Sequence, residues 1–430
     1  MNILIIGANG FLGAHITAGL LEQNYQPVCA VRNMVDARMK FPSLQVVYCD
    51  FNADVTAQAW LPRLKDIDVV INVAGVLNSA RGNDIQKVHF AGPAALFDAC
   101  VMANVKRVIH ISALGIDDEH TTKYALTKKR ADDYLKNTTG VDWVILQPSL
   151  VYAEGCYGGT TMLRSLASSP CMVPLIGNGL QKFQPIHMRD LVRAVLFFVQ
   201  YPSEIKRTFK LVGPDVMSVK DILIGFRRWL GLKPAKFLHM PKILVRMVAK
   251  LGDFFSVIPL NSTAYIMLLR DNTADKNEWT QFTGLQPCSF EQGLSTTPLT
   301  AQSLWHARLF NLKPLLKWGL GLFWVASGFI ALVLAPDETI NILTRIGFSD
   351  LMAEFTLFLT CSLDVALGIY LMASRSVIKP CALQILTIVV YTSVLNFFDP
   401  LLWLEPLGAL LKNIPLILAT MVLMAIDKER

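Results

Sequence analysis

The sequence predicts an α/β protein: a doubly wound parallel sheet with a small additional lobe, followed by a four-helix transmembrane bundle. Three observations carry this. Over the first 150 residues short apolar runs alternate with helical patterns, which is how βαβ units feeding a parallel sheet read in sequence. Of the 430 residues 53% are hydrophobic and only 17% charged, against roughly 25% charged in soluble domains, and the excess collects from Leu315 onward in four long runs. A glycine-rich turn, Gly7-Ala-Asn-Gly10-Phe-Leu-Gly13, follows the first apolar run and opens the first helical pattern.

The opening stretch Met1 to Gly7 lacks a basic flank, and its apolar run is too short for a signal peptide. It reads as a buried strand, Asn2 to Ile6. Further strands are expected at Gln26 to Val31, Leu44 to Cys49, Val69 to Val73, Val108 to Ser112 and Trp143 to Pro148. Helices are expected at Phe11 to Glu22, around Thr56 to Leu64, at Asp84 to Ala103 and through Tyr124 to Lys136. This core occupies residues 1–150. From 151 to 303 the pattern loosens into a lobe with turn-rich stretches such as Gly155 to Thr160, and with helical spacing at Arg189 to Val199 and Val219 to Trp229. In Pro241 to Phe255, Lys242, Arg246 and Lys250 recur every four residues opposite Leu and Val. That pattern fits a surface helix of a soluble domain, or a helix lying on a membrane with its basic face toward lipid phosphates.

Residues 304–430 hold the apolar runs Leu315 to Ala335, Leu351 to Ala373, Cys381 to Phe398 and Leu407 to Ile426. Each approaches the roughly 20 residues an α-helix needs to cross a bilayer core. Arg308, Lys313 and Lys317 precede the first run and Arg375 and Lys379 separate the second from the third; the opposite turns carry Asp337, Glu338, Asp350, Asp399 and Glu405, with Arg345 as the basic exception. The positive-inside rule then places both termini and the N-terminal domain in the cytoplasm. Within the runs Glu354, Asp364 and Lys412 are costly in hydrocarbon. Asp364, near mid-span, reads either as a functional group paired with Lys412 or as a hydrogen-bonded core carboxyl.

The eight cysteines, scattered without a CxxC or Cys/His ligand spacing, suggest neither a metal site nor a disulfide framework. The net charge of +7 lies in the first 303 residues, without the interleaving of basic and aromatic residues that marks a nucleic-acid platform.

Glycines are required at 7, 10 and 13 if the strand is to turn tightly, the backbone to approach a pyrophosphate and the helix to pack on the sheet. The helix start, Gly10, Phe11, Leu12 and Gly13, together with Asn9, would then cradle a dinucleotide. Where an acidic residue would bind the ribose of NAD, the second strand ends in Val31-Arg32-Asn33. Arg32 suits a 2′-phosphate, which favours NADP(H) over NAD(H); Asp36 nearby speaks for NAD(H).

Tyr124-Ala-Leu-Thr-Lys128 sets a phenol and an ammonium on one helix face, and Ser112 ends the fifth expected strand twelve residues earlier. As a catalytic set, Lys128 would lower the pKa of Tyr124, Tyr124 would exchange a proton with a carbonyl or alcohol oxygen, and Ser112 would hold that oxygen.

With these motifs the sequence resembles the extended and atypical short-chain dehydrogenases/reductases, a branch that includes nucleotide-sugar epimerases and a nucleotide-binding subunit of respiratory complex I. The resemblance spans roughly residues 1 to 298. It implies a Rossmann-like fold, an adenine contact at Asp50-Phe51, cofactor contacts at Ala74 and Gly75 in Asn72-Val-Ala-Gly75, and a nicotinamide pocket lined by Pro148 to Tyr152, including Val151. Gln184-Pro-Ile-His187-Met-Arg-Asp190 belongs to the same likeness, and the region after residue 151 would build the substrate lobe. His89 stands where such proteins usually carry asparagine, Gln147 where arginine is frequent, and Ala153 where glycine usually follows the tyrosine. The closing stretch Asp399 to Pro415 resembles DoxX-like membrane proteins over about residues 304 to 426. Together these imply a membrane-anchored NAD(P)(H)-dependent oxidoreductase or epimerase acting on a small-molecule, lipid or quinone-linked substrate. The alternative is a catalytically silent nucleotide-binding sensor or stabilising subunit of a membrane complex.

Overall fold

A computed structural model describes residues 1–76, 84–117, 121–155, 158–254, 260–345, 347–404 and 410–427. It forms two compact units, Met1–Ala307 and Arg308–Arg430.

The first unit begins β1 (Ile3–Ile6), α1 (Phe11–Glu22), β2 (Val28–Val31), α2 (Met34–Lys40), β3 (Val46–Tyr48), α3 (Ala57–Trp60) and β4 (Val69–Asn72). A π-turn at Lys87–Ala91 leads into α4 (Gly92–Met102), followed by β5 (Arg107–Ile111), α5 (Lys123–Asn137) and β6 (Asp142–Pro148). The lobe elements are β7 (Val151–Tyr152), α6 (Gly159–Ala167), β8 (Met172–Ile176), β9 (Lys182–Phe183), β10 (Ile186–His187), α7 (Met188–Gln200), β11 (Lys206–Leu211), β12 (Met217–Ser218), α8 (Val219–Trp229), β13 (Lys236–Met240), α9 (Lys242–Phe254), α10 (Ser262–Leu269), α11 (Asn277–Thr283) and α12 (Phe290–Ser295).

Seven strands form one parallel sheet in the order β11-β6-β5-β4-β1-β2-β3. Every residue of β1, β4 and β5 is buried, as expected for strands covered on both faces. One core packs α1 and α7 against the sheet; the other packs the faces of α3, α4 and α5. The strand order reverses between β1 and β4, which makes a crevice at their carboxyl ends.

All six expected strands and the helices at Phe11–Glu22 and Val219–Trp229 are present. Among the elements that were not expected, two belong to the sheet layer. Helix α2 starts where the Asn33 side chain accepts the Asp36 N–H, a cap of the kind short polar residues make. Edge strand β11, Lys-Arg-Thr-Phe-Lys-Leu, buries Phe209 and Leu211 and exposes its lysines.

The second unit opens on the continuation of α13 (Ala301–Phe329), whose end widens into a π-turn at Ile330–Leu334, and continues with α14 (Pro336–Arg345), α15 (Asp350–Ala373), α16 (Ile378–Phe398) and α17 (Asn413–Ala425). Ala301–Leu334, Asp350–Ala373 and Ile378–Phe398 are long and apolar enough to cross a membrane; α17 is a shorter apolar helix. Of the fourth run, Leu407 to Ala409 lie outside the described residues, and in the rest the helix begins at Asn413. Helix α17 shares an apolar cluster with the three long helices, where Leu423 packs with Leu320, Leu371 and Cys381. At one end Lys313 Nζ donates to Asp427 O at 2.8 Å, Lys317 Nζ to Ser374 O at 2.6 Å, and Ser376 Oγ to Asp427 Oδ2 at 2.8 Å. At the other end Arg345 meets Asp399 at 3.5 Å. Small residues set the α13/α15 approach: a Cβ on Gly368 would lie 2.6 Å from Gly321 O, and one on Gly328 2.6 Å from Cys361 O. Asp364 pairs not with Lys412, which is exposed, but with the Tyr391 hydroxyl at 3.4 Å.

Candidate active site

The β1–α1 loop forms one wall. Gly7 adopts φ +81°, which glycine alone takes without strain, and its carbonyl accepts the Gly10 N–H at 3.0 Å. A Cβ on Gly13 would lie 2.1 Å from Gly7 O; one on Gly10 would lie 3.2 Å from that atom and, its chain neighbours aside, from no other atom within 4 Å. Gly10, the N-cap of α1, makes no side-chain cap, so this helix start has no capping oxygen of its own. A cradle that a Cβ would fill, at the start of an uncapped helix, fits a dinucleotide pyrophosphate.

Asn9 Nδ2 donates to Asp36 Oδ2 at 3.1 Å, and Lys40 Nζ bonds both Asn9 O at 3.1 Å and Asp36 at 2.8 Å. Asp36 is thus engaged by Lys40, while Arg32 lies exposed just past the end of β2. Phe11 packs edge-on to His15 at 5.3 Å, and with Leu12 borders the first core. Asp50 accepts from Asn52 through N–H at 3.0 Å and Nδ2 at 2.8 Å. The Phe51 ring is buried against Trp60, at 5.4 Å, and Gly92, where a Cβ would come within 2.5 Å, so this side chain serves the core. Pro148 ends β6 and accepts the Leu114 N–H at 3.0 Å; Val151 pairs with Ile186.

Ala74 and Gly75 join this wall to the expected catalytic helix. Cβ atoms placed on Gly7 and Gly75 would lie 3.3 Å from Ala74 Cα and 3.5 Å from Lys128 Nζ respectively. Helix α5 is started by Thr122, whose side chain accepts the Ala125 N–H, and it carries Tyr124, Lys128 and Asp132 one turn apart. Lys128 Nζ donates to Ile111 O at 2.9 Å. Burial brings its pKa down to about 8, with Asp132 acting in the opposite sense. Tyr124 is pushed up to about 12 by burial and by the Asp132 charge. In this structure the Lys128 ammonium is turned to the Ile111 carbonyl, and the charge felt by the Tyr124 phenol is that of the Asp132 carboxylate.

Asp132, which the sequence reading missed, organises the set. Its Oδ2 accepts from Ser112 Oγ at 2.8 Å and Gln147 Nε2 at 2.9 Å, so Ser112 is oriented by α5 from within the core. Burial raises its own pKa. Its Oδ1 faces His110 Nε2 at 3.5 Å. Asn72 Oδ1 accepts the Ala74 N–H and its Nδ2 lies 3.1 Å from His110 Nδ1. This makes Nδ1 the acceptor and puts the His110 proton on Nε2, toward Asp132. The missed signal was periodic: Asp132 continues the four-residue spacing of Tyr124 and Lys128.

His89 sits in the π-turn. Its Nε2 accepts the Val76 N–H at 3.0 Å and Nδ1 lies 3.1 Å from Thr127 Oγ1, whose proton goes to Lys123 O at 2.7 Å. The imidazole is thus neutral with its proton on Nδ1, and burial and Lys128 hold its pKa down at about 3. Its ring packs edge-on to Tyr124 at 5.2 Å. Tyr152 and His187, by contrast, are architectural: the Tyr152 hydroxyl donates to Ser289 O at 3.2 Å and His187 caps α7. Of the cysteines, Cys29, Cys49, Cys100, Cys361 and Cys381 are buried, Cys171 is exposed, and Cys156 lies outside the described residues. Among the described residues no cluster of potential ligands could hold a metal ion.

Residues 3–211 match the NAD dependent epimerase/dehydratase family and residues 321–421 the DoxX-like family. The chain thus joins an epimerase/dehydratase-type Rossmann domain to a DoxX-like domain. Among curated proteins it is 26% identical over 259 residues to the photosystem II assembly factor Ycf39 of Guillardia theta, covering 59% of this chain and 78% of that one. It is 24% identical over 256 residues to a ceramide reductase of Caulobacter vibrioides, covering 59% and 78%. The fold is shared with a double mutant of DesIV, a dTDP-glucose 4,6-dehydratase of Streptomyces venezuelae solved with NAD, at 18% identity and TM-score 0.54 over 69% of this chain and 95% of that one.

Proposed function

We propose that the chain is a membrane-anchored, NADP(H)-preferring oxidoreductase that reduces a carbonyl on a lipid or quinone-linked substrate. The observation that carries this is the continuity of the site: Ala74-Gly75 touches the glycine cradle on one side and Lys128 on the other. Gly7, Asn9, Gly10, Phe11, Leu12 and Gly13 would hold the pyrophosphate, Arg32 the 2′-phosphate, Asp50 and the Phe51 backbone the adenosine end, and Ala74, Gly75, Pro148 and Val151 the nicotinamide end. When bound, the nicotinamide supplies the hydride. Tyr124, whose raised pKa keeps it protonated, is suited to donate a proton to the oxygen that gains charge on reduction. Lys128 adds positive charge nearby, and Ser112, fixed by Asp132, completes the polar wall. Arg32, exposed just past the end of β2, would set the preference for NADP(H) through the 2′-phosphate. In this reading residues 1–150 bind the cofactor, 151–303 shape the substrate site, and 304–430 cross the membrane four times with both termini cytoplasmic. The ceramide reductase relative supports a lipid substrate.

One observation favours a silent nucleotide-binding role in stabilising a membrane complex: Lys128 and Ser112 are both held by internal partners and Tyr124 is not activated. The assembly-factor relative points the same way. The two readings separate on NADPH consumption by the detergent-purified chain with lipid extract. Tyr124→Phe should cost about 100-fold or more in rate with NADPH binding retained; equal rates would assign the silent role. Arg32→Asp should weaken NADPH more than NADH, and unchanged preference would remove Arg32 from its role. A cysteine at Asp337 should react with an impermeant reagent on intact cells, and labelling at Ser376 instead would reverse the orientation.

A further inference from the structure

Helix α9 presents a face that the fold leaves uncovered. Val245 and Ala249, one turn apart, are buried with Tyr265 of α10, and this fixes the rotation of the helix. On the side turned away from that cluster Ile243, Leu244, Met247, Val248 and Leu251 are all exposed, Ile243 at 74% and Met247 at 60%. At helical spacing they cover an arc of about 140°. Lys242, Arg246 and Lys250, also exposed, line one edge of that arc, between the bare face and the buried one. The helix's acid, Asp253, is turned to Ser262, accepting its N–H at 2.9 Å and its hydroxyl at 2.5 Å.

A soluble surface helix puts polar residues where α9 puts Ile, Leu, Met and Val. An apolar arc bordered by a row of cations is how a helix lies in the boundary between headgroups and acyl chains, and the charge fits an anionic surface. The polypeptide also brings its own bilayer, since the same chain carries three helices long and apolar enough to cross one.

We propose that α9 docks on an anionic bilayer surface, with Ile243, Leu244, Met247, Val248 and Leu251 entering the acyl boundary and Lys242, Arg246 and Lys250 meeting lipid phosphates. Docking would hold α10 at that surface. Beyond α10, Arg270, Asp271 and Asn272 line a cavity of about 50 Å³ with Leu114, two residues past Ser112. The docking stands independently of the oxidoreductase reading.

The test uses the full chain in nanodiscs of phosphatidylglycerol and phosphatidylcholine, with the photoreactive residue p-benzoylphenylalanine replacing Met247 or, as a control, the exposed Lys210 of β11. Irradiation should yield phospholipid adducts at 247 and none at 210. The combined Lys242→Glu, Arg246→Glu and Lys250→Glu variant should lose about tenfold in adduct yield on the anionic discs and no more than about twofold on pure phosphatidylcholine. Adducts at 247 with a peptide of this chain or of a second copy, lipid adducts at both positions, or no adduct at either would each overturn the proposal.

Discussion

Replacing Gly13 and Gly10 separately by alanine tests whether the β1–α1 loop is a ligand cradle or only a turn. At Gly13 the new methyl would lie 2.1 Å from Gly7 O, 2.8 Å from Gly7 C and 2.9 Å from Ala8 Cα, where ordinary contact begins at 3.4 Å. These are backbone atoms that cannot rotate aside, so the loop must move by about 1 Å, an overpacking that costs about 1–3 kcal/mol. Thermal unfolding of the nucleotide-free protein should fall by several degrees, and NADPH affinity, read by fluorescence enhancement, by about 10- to 100-fold. At Gly10 the methyl meets only Gly7 O, at 3.2 Å, and otherwise points into open space; the backbone there, φ −71° and ψ 176°, suits alanine. Gly10→Ala should therefore leave unfolding within about 0.5 kcal/mol of wild type while weakening NADPH about tenfold, because the methyl occupies ligand space. Equal loss of stability in the two variants, or undiminished NADPH binding by Gly10→Ala, would refute the reasoning.

Asp132→Asn should destabilise the first unit by about 1–3 kcal/mol in thermal melts, because an amide oxygen kept on Ser112 and Gln147 turns its NH₂ against the His110 N–H. The same change removes a charge that raises the Lys128 pKa, so any activity limb that follows Lys128 should move below pH 8. His89 is held at about 3 against an ordinary 6.5, so between those values the unfolded chain binds a proton that the folded chain does not, and stability falls as pH drops from about 6.5 toward 3. His89→Asn should make the pH dependence of unfolding shallower by about one proton over that range; an unchanged slope would place the acid sensitivity elsewhere. Gly368→Ile would push its Cβ to 2.6 Å from Gly321 O and should lower the aggregation temperature of the detergent-solubilised chain by several degrees, whereas Leu359→Ile, at an exposed position, should not.

The sheet was legible because its central strands are continuous apolar runs and because glycines punctuate the first crossover. Edge strand β11 was not, since an alternation of lysine with buried apolar residues is weak against the stronger helical periodicity of its neighbour α7. The positions of Tyr124 and Lys128 followed from their spacing, but their chemistry did not. A Tyr-x-x-x-Lys pair implies that the ammonium serves the phenol, whereas the ammonium here donates to the Ile111 carbonyl. Nor does sequence spacing reveal that Ser112, Gln147 and Asp132, from two strand ends and a helix, meet at one carboxylate oxygen. Two of the three departures from the family pattern become intelligible together: Gln147 is the neutral donor that Asp132 needs, and His89 links the Val76 N–H to the Thr127 hydroxyl.

In the membrane unit the residue that fitted the charge pattern least is also accounted for. Arg345 was the basic exception among otherwise acidic turns, and it lies 3.5 Å from Asp399, a residue two crossings further along the chain. A pair between the turn after the first span and the turn after the third requires both to lie at the same end of the bundle. The opposite end is tied in the same way, Lys313 and Ser376 both reaching Asp427 at the close of α17. A chain that begins and finishes its bundle at one end crosses it an even number of times. On the proposed four-pass topology the 13-residue α17 would be the fourth pass, and Arg345, paired with Asp399, would not count against cytoplasmic termini.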